Sequence, residues 1–162
     1  MEVDDFFQGS ALNAVDAKGR LSVPAFVRSA IEQNSKDRTI ILAAHEVSPC
    51  VVAYGPGYSR RLKAELEERR GREEERGAAS REGHYSSRRR AFGTVEIATY
   101  DPSGRILMPQ KMRRRGRIED LALFIGIGDV VEIWNPRIAL EQGDAELRDI
   151  VLDCLDEKGM KL

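Results

Sequence analysis

Two stretches of the chain carry the same order of apolar and polar positions. Residues 12–28 read LNAVDAKGRLSVPAFVR, and residues 97–113 read IATYDPSGRILMPQKMR. The patterning over 12–15 and over 97–100 predicts a strand in each. Asp-Ala-Lys-Gly and Asp-Pro-Ser-Gly then read as turns, because Asp bonds the backbone ahead of it and Gly supplies a positive φ. Pro102 suits the first central position of such a turn. Return strands follow at 21–23 and 106–108. Pro24 and Pro109 suit the first residue of a short helix, where a missing N–H is tolerated. Phe26, Val27, Ala30 and Ile31 line one side of the first of these helices. A second pair of apolar runs, 39–43 with 51–54, is mirrored by 121–125 with 130–134. Each copy is expected to run β-β-α-β-β, so the chain reads as mainly β with α, an α+β fold.

The shared frame is D-x-x-G-R-x-x-x-P-x-x-x-R. Asp16, Gly19, Arg20, Pro24 and Arg28 match Asp101, Gly104, Arg105, Pro109 and Arg113, each pair at the same offset (101 − 16 = 85). Leu12, Leu21 and Val23 match Ile97, Ile106 and Met108. Identities at one fixed spacing mark an internal duplication, and a duplication decides the fold. Tyr54-Gly55-Pro56 aligns with Trp134-Asn135-Pro136 at a smaller offset (134 − 54 = 80). Five residues are therefore expected to be missing between helix and strands in the second copy.

Residues 57–92 break the pattern. ELEERRGREEERGAASREGHYSSRRR is charge-dense and nearly free of large apolar residues. Leu62 and Leu66 predict a helix beginning near Tyr58, supported by Glu/Arg pairs a turn apart. A break is expected at 77–80, and 71–87 is open to disorder. Beyond Asn135, which can cap a helix with Pro136 at its first position, the chain reads as helix. Gly143 and Asp144 divide that helix, and Leu147, Ile150, Val151 and Leu155 form its packing stripe. The expected organisation is a first unit at 8–56, a charged connector at 57–92, a second unit at 93–136 and a C-terminal helical segment at 137–162.

Composition narrows the function more than the fold. The 162 residues are 41% hydrophobic and 33% charged, with a formal net charge of −1. No bulk basic excess advertises a nucleic-acid partner, so that case rests on where the cations sit. Units this small have thin cores and must share one or oligomerise. Cys50 and Cys154 offer no zinc spacing or disulfide framework and read as buried free thiols. The first residues are acidic, and no window approaches a membrane span, so a cytoplasmic protein is expected. His45-Glu46 lacks a second His four residues on. Gly126-Ile127-Gly128-Asp129 sits between two strands and reads as a hairpin, not a dinucleotide fingerprint. Ser59, Ser86 and Ser87 lack a partner base. No enzyme, cofactor, metal or small-molecule substrate is expected.

The candidate chemistry lies in the duplicated turns. Lys18 and Arg20 straddle Gly19, and Arg105 follows Gly104. Gly lets a backbone approach a phosphate, and Arg can grip guanine O6 and N7 with two parallel bonds. Against that, Asp16 with Arg20, and Asp101 with Arg105, could each be an internal pair. The aspartates and Pro24 and Pro109 read as turn-formers rather than DNA contacts. Ser103 stands where the first copy has Lys18. Lys111, Arg113, Arg114, Arg115 and Arg117 add a cluster that is either a phosphate-contacting helix or a solvated face. Arg28 and Arg113 share a helical position, which fits a structural role between the units. Arg88 to Arg90 reads as an electrostatic track or a plain surface run.

The paired D-x-x-G-R-x-x-x-P motifs and the E-I-W ending of the second copy resemble the MraZ family of the SpoVT-AbrB superfamily. The resemblance covers roughly 8–66 and 90–142. It implies two tandem AbrB-like units interlocked as a swapped-hairpin pseudo-dimer within one chain. It further implies a ring-like homo-oligomer, an octamer or dodecamer, and a nucleoid-associated repressor. Such proteins bind double-stranded DNA at G-rich direct repeats before their own division and cell-wall gene cluster. The acidic Glu2-Val3-Asp4-Asp5 precedes the family's usual start and is open to disorder. A single-unit antitoxin or an interaction scaffold is the alternative class.

Overall fold

A computed structural model describes residues 5–78 and 80–162. Each copy of the repeat follows β-β-α-β-β. The first comprises β1 (Ser10–Ala14), β2 (Arg20–Ser22), α1 (Ala25–Asn34), β3 (Thr39–Ala44) and β4 (Val51–Tyr54). The connector holds α2 (Pro56–Glu75), α3 (Arg81–Arg88) and a π-helical turn at Arg89–Gly93. The second copy comprises β5 (Glu96–Thr99), β6 (Arg105–Leu107), α4 (Gln110–Arg115), β7 (Leu121–Gly126) and β8 (Val131–Trp134). Two helices, α5 (Pro136–Gln142) and α6 (Ala145–Lys158), follow.

The copies do not fold side by side. One six-stranded antiparallel sheet runs β1-β7-β8-β4-β3-β5, so the first strand of each copy pairs with a strand of the other. Leu12 faces Leu123 and Ile97 faces Ile41, and these two pairs are equivalent under the repeat. In the centre, Val52 of β4 faces Glu132 of β8. β2 and β6 form a separate ribbon in which Leu21 faces Ile106, itself a repeat-equivalent pair. A pseudo-two-fold axis therefore passes through Val52/Glu132 and through Leu21/Ile106.

Strand alternation splits the core in two. Ala122 and Phe124 of β7, Ile40 and Leu42 of β3, and Ile133 of β8 face the ribbon's Leu21 and Ile106 and the helical Val27, Ile31 and Met112. Leu121, Leu123 and Ile125 face the other way, against Trp134 and against Ala139, Val151 and Leu155 of α5 and α6. Covered on both faces, β7 reads as a continuous apolar run rather than an alternating one. Capping sets the last two helices: Asn135 accepts from the Arg137 N–H at 2.9 Å and Asp144 from that of Leu147 at 2.8 Å. As expected, the division falls at Gly143-Asp144.

Three local expectations are corrected. Pro24 and Pro109 do not open their helices but precede them as N-caps, with extended ψ of 150° and 142°. Each carbonyl accepts the first helical bonds, while the ring's fixed φ turns the chain out of the ribbon. The five-residue deletion is not in one place. Ile41 corresponds to Leu123 (123 − 41 = 82), because each faces the equivalent aromatic, Tyr54 or Trp134. Three residues are thus lost before the strands and two from the hairpin loop. Finally, residues 71–75 and 81–87 are helical, held by pairs such as Arg70–Glu74 at 3.0 Å. Of the acidic start, residues 2–4 lie outside the described residues, and Asp5 accepts from Asn34 Nδ2 at 2.7 Å. Among the described residues no helix is long and apolar enough to cross a membrane.

Candidate nucleic-acid interface

The ribbon of β2 and β6 has one wet and one dry face. Leu21 and Ile106 are each 3% exposed and point into the core. Their neighbours Arg20, Ser22, Arg105 and Leu107 are exposed. In an antiparallel pair, directly opposed residues share a face. Arg20 is opposite Leu107 and Ser22 is opposite Arg105. All four therefore stand on the same outer surface, with the two arginines on a diagonal.

The preceding turns fix where those arginines point. Asp16 Oδ1 accepts the backbone N–H groups of Lys18 and Arg20, both at 2.9 Å, while Oδ2 accepts Arg20 Nε at 2.8 Å. Asp101 does the same for the N–H groups of Ser103 and Arg105 at 2.9 and 3.0 Å and for Arg105 Nε at 3.2 Å. These donations, the backbone N–H of the arginine foremost, hold both carboxyls below the usual carboxylate value. Gly19 and Gly104 close the turns at φ of +89° and +82°, where a side chain would be strained. Each glycine carbonyl then accepts from the other copy: Gly19 from Met108 N at 2.9 Å, and Gly104 from Val23 N at 2.7 Å.

The internal Asp–Arg pairs expected as one alternative are therefore present. They engage Nε, and the arginine side chains stay 56% and 59% exposed. No hydrogen bond to either arginine's Nη groups is found among the described residues. The carboxylate thus orients the guanidinium without consuming its outer edge.

The remaining candidate cations divide. Lys18 sits on the exposed first turn, and Ser103 occupies the equivalent place in the second. Lys111 is tied to Glu96 at 3.0 Å. Arg113 lies across the turn of the other copy: a Cβ on Gly19 would come within 3.1 Å of its Cδ. Its Nε is buried without a partner, and Nη2 donates to the Glu119 carbonyl at 3.4 Å. Arg28 does the reciprocal work, passing over Gly104 while its Nε donates to the Val23 carbonyl at 3.0 Å. Arg114, Arg115 and Arg117 are exposed at the end of α4. Ser22 and Leu107 were not singled out from sequence, although the two-residue strand period from Leu21 and Ile106 marks both as outward.

One cluster has metal-ligating side chains. Atoms of His45, Cys50 and Glu132 lie within 4.8 Å of one another. His45 Nδ1, however, accepts the N–H groups of Val47 and Ser48 at 3.1 and 2.9 Å. The ring proton must then sit on Nε2, which faces Glu132 Oε2 at 3.7 Å and offers no lone pair to an ion. Burial pushes the Cys50 thiol up to about 12, further from the thiolate a metal needs. These residues do not fit a metal. A depression of about 570 Å³, open to solvent, lies beside the first turn and is lined by Asp16, Arg113, Asp120 and Arg137 among others.

Comparison with known proteins adds names. The chain is 32% identical over 130 residues to the transcriptional regulator MraZ of Rhodospirillum rubrum, covering 80% of this chain and 79% of the relative. It is 30% identical over 133 residues to that of Phocaeicola vulgatus, covering 82% and 81%. It is 29% identical over 141 residues to that of Gluconobacter oxydans, covering 86% and 81%. No protein-family model matches.

Proposed function

The chain belongs to the MraZ family, whose relatives are named transcriptional regulators, and from that premise we propose that it is a sequence-specific DNA-binding regulator that reads DNA with the β2–β6 ribbon. One observation carries the reading: two pre-oriented arginines share the exposed face of a two-stranded ribbon with a pseudo-two-fold axis. A ribbon of this width fits the major groove, about 12 Å across. Arg20 and Arg105 meet guanine O6 and N7 there, each bidentate contact worth about 1–3 kcal/mol of discrimination. Lys18 meets a phosphate beside the first turn, while Arg114 adds charge from α4. Lys111 and Arg113 act more weakly, since each already serves a partner within the fold.

One protomer offers few phosphate contacts, and such binding falls away with salt. A homo-oligomer docking several ribbons on tandem G-rich boxes gains from effective concentration. Occupation of the boxes then represses the promoter that carries them. Gel-shift titration of the chain on the DNA upstream of its own gene tests this across salt. Arg20→Ala should weaken specific binding about 5- to 100-fold and leave the oligomer's mass unchanged. Unchanged binding overturns the ribbon assignment, and a single-box duplex that binds as tightly as a multi-box one overturns the oligomeric mechanism.

A further inference from the structure

The pseudo-two-fold axis of the ribbon relates Arg20 to Arg105, but the likeness breaks down two residues further on. Ser22 and Leu107 are repeat-equivalent (107 − 22 = 85), and each stands opposite the other copy's arginine. Leu107 is 60% exposed, a large aliphatic side chain on a face whose other three members are Arg20, Ser22 and Arg105. Core packing does not explain it, because Ile106 supplies the buried contact from this strand. Nor is it displaced by strain: its strand pairs in register with β2 throughout.

We propose that Leu107 determines specificity by packing on the C5-methyl of a thymine next to the guanine gripped by Arg20. This rests on the ribbon reading of DNA given above. Opposed side chains on a strand pair begin about 4.5–5.5 Å apart. A base step rises 3.4 Å. Leu107 and Arg20 therefore address the same or adjacent steps. In the major groove only thymine presents an apolar group, and an aliphatic side chain is its natural reader. The other half of the ribbon has Ser22 beside Arg105, which bonds either donor or acceptor edges and has no preference for a methyl. The two halves of the bound site are then chemically unlike. A protomer so built recognises a box in one orientation only, although its fold is nearly symmetric.

The test uses the full chain and a duplex it selects from a randomised pool. Each thymine of that duplex is replaced in turn by deoxyuridine, which removes the methyl and alters no hydrogen bond. One replacement, flanking a guanine that Arg20→Ala no longer discriminates, should weaken binding about fourfold. Leu107→Ser should bind the thymine and uracil duplexes alike. The double variant Ser22→Leu/Leu107→Ser should move the sensitive thymine to the other half of the site. Both positions are exposed, so melting temperatures should stay close to the parent. No thymine sensitive to methyl removal, or an equal uracil penalty in Leu107→Ser, overturns the inference while leaving the Arg20 result standing. A fall in oligomer mass on Leu107→Ser with an unchanged uracil profile also overturns it, and assigns the leucine to a contact between copies. Failure of the pool to yield any sequence, or indifference to Arg20→Ala, refutes the ribbon reading itself.

Discussion

Replacing Gly104 with alanine tests how the two copies lock together. Gly104 closes the second turn at φ +82°, and a Cβ built there would lie 2.7 Å from Arg28 Nε, 2.9 Å from Cδ and 3.0 Å from Cζ. Arg28 cannot simply swing away, because that Nε donates to the Val23 carbonyl. Alanine at such a φ costs about 1–3 kcal/mol. Losing the Arg28 bond adds about 0.5–1.5 kcal/mol. The expected destabilisation is about 2–4 kcal/mol, which for a chain of this size lowers Tm by roughly 5–15 °C. Gly19→Ala should cost less. Its φ is similar, but the nearest contacts are 3.1 Å to Arg113 Cδ and Nη1. Calorimetry of Gly104→Ala in the parent and in an Arg28→Ala background separates the two contributions. With the guanidinium gone, the glycine substitution should cost about 1 kcal/mol less. A cost below 1 kcal/mol in the parent, or equal costs in both backgrounds, would refute the claim that Arg28 braces the opposite turn.

Four further outcomes are expected. Leu12→Ala should destabilise the fold by about 2–4 kcal/mol, while its repeat equivalent Ile97→Ala should change Tm little, since the two side chains are 3% and 69% exposed. The lowered Asp16 and Asp101 carboxyls contribute stability that is complete above the unfolded value near 3.8 and is lost as pH falls through the lower folded values. Asp16→Asn should flatten part of that acid slope in Tm measured from pH 6 to 2.5. Cys50 and Cys154 are buried, and mass spectrometry should find both unalkylated by iodoacetamide in the folded chain but modified in denaturant. Raising salt should weaken DNA binding log-linearly, with Lys18→Ala reducing the slope by about 0.9 for each docked ribbon.

The duplicated frame makes much of this legible in one dimension. Asp, Gly, Arg and Pro at fixed spacing specify a turn, a return strand and a helix start, because each residue's own φ or side-chain bonding imposes the geometry locally. The period of two through Leu21 and Ile106 likewise tells which ribbon positions face out. The Asp16–Arg20 pair was foreseeable for the same reason, since both partners lie within one turn.

Non-local choices were not legible. Repeat-equivalent positions carry the same pattern, yet Leu12 lies under α6 while Ile97 stays exposed, because only one end of the sheet receives the C-terminal helices. The three-plus-two division of the deletion depends on strand register, and the strands concerned are also held by partners more than 50 residues away. Arg113 read both as part of a basic cluster and as a structural residue between the units, and only the fold, which sets it across the turn of the other copy, shows the second.

By itself the sequence determined that there are two copies, what each contains and which turns carry the arginines. These follow from short-range backbone preference and periodicity. Interlacing of the copies was implied by the family resemblance; the tertiary structure alone decided that β2 and β6 meet and that both arginines reach one exposed face. Without β6, β2 would keep only its bridge from Leu21 to Val15, with its other edge unpaired and its leucine wet. Pairing with the other copy's β6 resolves both, and in doing so builds the surface proposed to read DNA.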